Sequence, residues 1–268
     1  MARTFKRLLA LSDPHCGHHV GLTPPQWQAR PERAQVGNMP SLVVEVQGLL
    51  WDEFSDTVRK LRPIDYCVLN GDGVEGKGWR SGATELITSD RDEQASMTAR
   101  VLKYVHAREG YWLTYGTPYH TGLNEDWENV VADKIGGKIG SHEWLDIYGV
   151  VFDFKHNVGS SSIPHGRATP LAREQLWNAL WAERDEQPKA NVIVRSHVHY
   201  HAGCFGMGWL ALTTPALQAA GTKYGARRCS GTVDLGVTVF DIYPNGSYQW
   251  QVIKFARAVH RAQATKLT

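Results

Sequence analysis

Five short clusters of Asp, Asn and His constrain this chain more than any other feature, because each follows directly on a run of leucine, β-branched or aromatic residues. Asp13-Pro14-His15 follows Leu8 to Leu11, Asn70-Gly71-Asp72 follows Ile64 to Leu69, and Gly116-Thr117-Pro118-Tyr119-His120 follows Tyr111 to Tyr115. Lys155-His156-Asn157 closes the stretch from Glu143, and Ser196-His197-Val198-His199 follows Val192 to Arg195. Such runs read as strands. A lone D-x-H or H-x-H is weak evidence, since a histidine near a loop is more often hydrogen-bonded or solvated than liganding. Five clusters at five strand C-termini are specific, because ligands bind at those ends in α/β sheets.

The remaining pattern alternates helices with these strands. Ser41 caps a helix to about Leu61, with Leu42, Val46, Leu49, Leu50, Phe54 and Val58 near helical spacing and Pro63 as its stop. Further helices are expected from Ser89-Asp90 to Arg108, from Glu125 to Ile135 and from Leu171 to Glu186, with a hairpin turning at Tyr148-Gly149. From Trp209 onward the pattern is β only, ending in Val233 to Tyr243 and Tyr248 to Phe255 around Pro244-Asn245-Gly246. The Pro-bearing stretch from Gly21 to Pro40 reads as a surface excursion. With no low-complexity linker, the expectation is an α/β fold in one domain over residues 1–268, two sheets packed together with helices outside.

Composition narrows the classes. A chain of 268 residues with 42% hydrophobic and 21% charged residues can bury a large core. A net charge of +2 lacks the footprint of a protein that coats nucleic acid, though it does not exclude an enzyme with a locally basic groove. Cys16, Cys67, Cys204 and Cys229 form no C-x-x-C pair, and Cys67 lies in an apolar run, which fits a reducing compartment. No apolar run approaches the ~20 residues of a membrane span, and Leu8 to Leu11 is too short for a signal-peptide core. The expectation is a cytoplasmic protein with no membrane partner.

Asp13, His15, Asp72, His156, His197 and His199 supply two carboxylates and four imidazoles. Mixed nitrogen and oxygen donors suit Mn²⁺, Fe, Zn²⁺, Co²⁺ or Ni²⁺ better than Mg²⁺ or Ca²⁺. Six ligands are too many for one tetrahedral zinc and about right for two ions sharing a carboxylate. Two ions ~3.5–4 Å apart clamp a phosphoryl group and turn a bridging water into hydroxide for in-line attack. Two divalent transition-metal ions, Mn²⁺ foremost, and a phosphate-ester substrate are therefore expected.

The series resembles the calcineurin-like metallophosphoesterase superfamily, in particular its stand-alone bacterial or phage-type members. That family's pattern is D-x-H, then G-D-x-x-D or G-D-x-x-N, G-N-H-D or G-N-H-E, a lone H, and G-H-x-H; here it spans Asp13 to His199. The resemblance implies a four-layer αββα sandwich with two mixed β-sheets and a two-metal centre. It implies that Asp13, His15, Asp72 and His199 hold one ion, and that Asp72 bridges to a second held also by His156 and His197. Three positions depart from the pattern. Glu75 stands where Asp or Asn is usual, Ser196 replaces a Gly, and Gly116-Thr117-Pro118-Tyr119-His120 lacks the liganding Asn and brings its His two residues late. Either His120 fills the vacancy, or it contacts phosphate and protonates the leaving group while water or Thr117 completes the ion; the catalytic role is preferred.

Other residues near the motifs are His18 and His201, which could face substrate, and Arg195, Arg80 and Arg227-Arg228, which could meet phosphate. Trp79 lies in the Gly-rich loop after Asp72, where it could stack a nucleotide base, whereas Trp127, Trp177 and Trp181 at helical positions are expected in the core. The expected activity is hydrolysis of phosphodiesters, of nucleic acid or of a cyclic or small nucleotide, by a metal-bridging hydroxide. The alternatives are a phosphomonoesterase acting on phosphoprotein or nucleotide, and a scaffold that keeps the fold without turnover.

Overall fold

The computed structural model describes residues 3–30, 41–121, 126–222, 225, 231–258 and 264–266. Cys229, Arg227-Arg228, His260, Pro31 and Pro40 lie outside them, as does the side chain of Arg80. The first half of the chain forms β1 (Lys6–Leu11), α1 (Ser41–Leu61), β2 (Tyr66–Asn70), α2 (Arg91–Val105), β3 (Gly110–Thr114), α3 (Pro118–Thr121), α4 (Trp127–Ile135) and β4 (Lys138–Gly140). The second half forms β5 (Glu143–Ile147), β6 (Val150–Phe154), α5 (Thr169–Glu183), β7 (Val192–Arg195), β8 (Gly203–Gly206), β9 (Trp209–Thr213), β10 (Gly236–Ile242) and β11 (Tyr248–Lys254).

Two mixed sheets result. One has the order β11-β10-β1-β2-β3-β4, with β1 to β4 parallel and β10 antiparallel to both β1 and β11. The other has the order β5-β6-β7-β9-β8, parallel through β6, β7 and β9 with antiparallel edges. Strand side chains alternate between faces, and that alternation builds the layers. Leu9, Leu11, Cys67, Leu69 and Leu113 meet Leu50, Phe54, Val58, Val101 and Val131 of the helices outside the first sheet. Their neighbours Leu8, Ala10, Val68 and Phe240 point the other way, onto Phe152, Phe154, Val192, Val194 and Leu212 of the second sheet. Ile193 and Ala211 face outward again and receive Leu171 of α5. The order is helices, sheet, sheet, helix, the αββα sandwich that the family resemblance implies.

Element ends follow local signals. The Asp90 side chain caps α2 by accepting from the backbone N–H groups of Asp92 and Glu93. This helix stops at Val105, short of the expected Arg108, because His106 takes a left-handed φ of 57° and the next N–H groups donate to Ile64 and Asp65. Strands β4 and β8 and helix α3 carry no sequence signal, being only 3 or 4 residues long. Among the described residues no helix is long and apolar enough to cross a membrane.

Phe152 is fully buried between the sheets, with its ring against Phe154, Phe240 and Tyr248. Phe152→Ala should lower unfolding free energy by about 3–5 kcal/mol, read from urea midpoints at unchanged m-value. A loss below about 1 kcal/mol would mean that the two sheets do not depend on this contact.

Candidate metal centre

All five clusters converge at one end of the sandwich, on the loops leaving β1, β2, β3, β6 and β7. Asp13, His15, Asp72, His197 and His199 all have left-handed backbones, with φ of 50°, 42°, 50°, 72° and 54°. This conformation costs a non-glycine residue about 1–2 kcal/mol, so the surroundings must hold it. Asp13 N–H donates to the Gly71 carbonyl and His15 N–H to the Asp72 carbonyl, both at 3.1 Å, which ties the first two loops together. Leu217 N–H donates to the Ser12 and Asp13 carbonyls, and Asp234 N–H to that of His199. Strain concentrated in this way marks functional sites.

The side chains then form overlapping groups. Asp13, His15 and His199 bring ligand atoms within 4.8 Å of one another, as do Asp72, His156 and His197, and as do His15, Asp72 and His120. His199 Nε2 lies 3.3 Å from Asp13 Oδ1 and 3.2 Å from His15 Nε2. His156 Nε2 lies 3.0 Å from Asp72 Oδ2, and His197 Nδ1 lies 4.0 Å from the same oxygen. Asp13, His15, Asp72 and His156 are buried, whereas His197 is exposed and leaves one side of the cluster open. Asp13 Oδ1 and His156 Nε2 are buried and, close as their ionic neighbours are, make no well-directed hydrogen bond. Buried polar atoms are costly unless satisfied. Carboxylate and imidazole atoms converging in this way are what a bound cation would satisfy, so these residues fit divalent metal.

The same contacts set the charges of the cluster, and a metal ion held there would displace the proton from His156. Burial alone would raise Asp13, but the nearby imidazoles of His199 and His156 outweigh it and hold the carboxyl at about 2. Burial likewise opposes ionisation of Asp72, and His156 and then His120 overcome it, leaving the acid well below the usual range. The reciprocal effect lifts His156 to about 10 despite burial, and lifts His199 through Asp13. His15 is lowered by burial and by His120. Both acids are therefore ionised at neutral pH and ready to hold cations.

His156, His15 and Asp72 are each oriented by a neighbour, and two of those neighbours stand at the motif departures. His156 Nδ1 donates to the Asn70 carbonyl at 2.7 Å, turning Nε2 to the cluster. Glu75 is buried, with Oε2 3.0 Å from His15 Nδ1 and 3.4 Å from His120 Nδ1, and its carbonyl accepts from His120 Nδ1 at 2.9 Å. Thr117 stands where the pattern has Asn, and its N–H and hydroxyl donate to the Asp72 carboxylate at 2.7 and 3.1 Å. The Ser196 hydroxyl joins Asn70 Nδ2 and the Thr214 hydroxyl, which reaches Ser12. Glycine is required at Gly71 and Gly116, where a Cβ would overlap the His156 ring and the Asp72 carboxylate.

Glu128 of α4 was not signalled by the sequence. It is fully buried and accepts from the N–H groups of Gly73 and Gly116 at 2.8 and 2.6 Å, clamping the loops on either side of Asp72. Burial and the Asp72 charge lift it to about 7. A helical Glu looks like any surface acid in sequence, so only its hydrogen bonds reveal it.

Arg195 does not meet the cluster. It is buried, donating to Asp153 Oδ1 at 2.6 Å and to Glu174 Oε2 at 2.9 Å, and so anchors the strand that delivers His197. His142 joins the same carboxylate at 2.7 Å. His18 is buried, with Nδ1 accepting from Val20 N–H and Nε2 3.9 Å from Glu85, and His201 Nδ1 donates to the Thr213 carbonyl. Trp79 is 67% exposed under the Lys77 ammonium. A cavity of ≈ 250 Å³ lined by Tyr115, Thr117, Pro118, Ser141, Lys155 and Asn157 adjoins His156.

No family model and no curated protein matches the chain. Solved structures that it resembles include an archaeal phosphodiesterase, at 11% identity and TM-score 0.46 over 92% of this chain and 99% of that one. Wild-type Vps29 with zinc from Entamoeba histolytica matches at 14% identity and TM-score 0.42, over 93% and 99% of the chains. A predicted phosphoesterase from Streptococcus pneumoniae matches at 10% and 0.39, over 94% and 99%.

The Asp153 carboxyl gives a pH prediction. Burial opposes its ionisation, and the His142 hydrogen bond and the Arg195 charge outweigh that, holding it at about 2. A depressed carboxyl stabilises the fold above its unfolded value near 3.8 and loses that contribution as pH falls through about 2. Asp153→Asn should therefore cost roughly 3 kcal/mol at pH 7, by removing one of the two carboxylates that neutralise the buried Arg195 and leaving only Glu174. Its deficit against wild type, from urea unfolding, should shrink by about 2 kcal/mol towards pH 2. A deficit independent of pH would contradict the ion pair.

Proposed function

We propose that this chain is a two-metal phosphoesterase of the calcineurin-like type that hydrolyses phosphodiesters, with a nucleotide or nucleic acid as the substrate class. The observation that carries the reading is the pair of candidate ligand groups, Asp13 with His15 and His199, and Asp72 with His156 and His197, set side by side with buried atoms that lack a well-directed hydrogen bond. Asp72, which also falls within reach of His15, would serve both. Two divalent cations there, with Mn²⁺ the first to try, would neutralise phosphate oxygens and supply a water of lowered pKa.

The chain's own residues do the rest. Thr117 and the loops clamped by Glu128 fix the Asp72 carboxylate, so the two groups keep their separation. Glu75 holds His15 and His120 through their Nδ1 atoms, which leaves the His120 Nε2 able to hand a proton to a departing ester oxygen. Two features favour a diester. Arg195 is engaged with Asp153 and Glu174 and does not add the extra positive charge that a dianionic monoester rewards. The cavity beside His156 leaves room for a second substituent on phosphorus. Five strained backbones and a set of buried charges argue against a scaffold without turnover, for which both would be cost without return.

Purified protein supplied with Mn²⁺ should hydrolyse an aryl phosphodiester faster than the matching monoester; the reverse order would favour the phosphatase reading. Asp72→Asn should fall below a tenth of wild-type activity at saturating Mn²⁺, a loss of more than about 1.4 kcal/mol in transition-state stabilisation. Greater retention would remove Asp72 as the shared ligand. His120→Ala should keep two metals by elemental analysis and lose activity chiefly on alkyl leaving groups, which need protonation. Loss of one metal with equal damage on aryl and alkyl esters would make His120 a ligand instead.

A further inference from the structure

Helix α5 lays Leu171 and Asn178 on the second sheet, yet its opposite side is not polar. Leu176, Trp177 and Leu180 are 57%, 52% and 47% exposed, so Trp177 is not the core residue that its helical position suggests. At ~100° per residue, Leu176 and Leu180 lie within ~20° of the direction opposite Asn178, and Arg173 and Glu183 within ~40°. One stripe thus reads Arg173, Leu176, Leu180, Glu183, basic at its start, apolar in the middle and acidic at its end. Arg173 and Glu183 are both exposed and have no ion pair among the described residues. Each also sits at the unfavourable end of its own helix dipole, a cation near the N-terminus and an anion near the C-terminus.

This stripe is its own complement when reversed. With a two-fold axis at the level of Asn178, Leu176 of one copy is level with Leu180 of the other, and Arg173 with Glu183, because each pair is evenly spaced about that residue. An isologous contact needs this self-complementarity. The hairpin joining β8 and β9 lies against the start of α5, through Cys204 and Ala168, and its exposed Phe205 and Met207 widen the apolar area there. We infer that α5 is the centre of a two-fold homodimer, with Leu176, Trp177 and Leu180 buried between antiparallel helices and Arg173 paired with Glu183 of the second copy at both ends. A membrane surface would reward cations and not an acid on the same stripe.

Sedimentation velocity of the full chain across a concentration series tests this directly. Wild type should dimerise reversibly, and Leu180→Asp should sediment as a monomer with an unchanged circular dichroism spectrum. Arg173→Glu and Glu183→Arg each set like charges level with one another and should weaken the dimer by about ten-fold. The double variant carrying both changes should recover wild-type affinity, since it restores opposite charges. The proposal is overturned if wild type stays monomeric throughout or if the double variant is no better than the singles. It is equally overturned if the chain stays monomeric but floats with phosphatidylcholine/phosphatidylserine vesicles in a Leu180-dependent way.

Discussion

The rest of this structure depends on one buried carboxylate being held still. Asp72 lies in the interior at the end of β2 with a left-handed backbone, and its Oδ2 lies 3.0 Å from His156 Nε2 and 4.0 Å from His15 Nε2. Thr117 grips the carboxylate, Gly116 makes room for it, and the Asp72 carbonyl accepts from His15 N–H, so the β1 and β3 loops are fitted to the same residue. Glu128 fastens the backbone on both sides from α4. On the proposed function this acid is shared, so movement of it would uncouple the two candidate ligand groups.

The sandwich supplies what that acid cannot supply alone. Parallel strands β1, β2 and β3 bring Asp13, Asp72 and Thr117 to one edge of the first sheet, and β6 and β7 bring His156 and His197 to the same edge of the second. The apolar layer between the sheets sets their spacing, and the chain Asn70, Ser196, Thr214, Ser12 stitches their ends across it. Arg195 with Asp153 and Glu174 locks the end of β7 from the far side. The centre is therefore assembled from two sheets, each of which holds only part of it.

The candidate ligands could be picked out in the sequence because metal chemistry demands particular residue types, and because apolar runs place each cluster at a strand end. The layers followed from the same runs, whose alternate residues face opposite cores. The left-handed turns at Asp13, His15, Asp72, His197 and His199 were not legible, since conformation there is imposed by hydrogen bonds from distant loops. Glu128 acts only through backbone amides and leaves no pattern. Arg195 looked like a phosphate contact because it neighbours His197 in sequence, yet strand geometry turns it to the opposite side, onto Asp153. Trp177 was expected in the core because helical spacing groups residues on a face without saying which face is covered.

The most direct test is anomalous diffraction from crystals of the chain grown with Mn²⁺. Two peaks ~3.5–4 Å apart should appear, one among Asp13, His15 and His199 and one among His156, His197 and Asp72, with the Asp72 carboxylate touching both. A single peak, or two peaks that Asp72 does not join, would contradict the account.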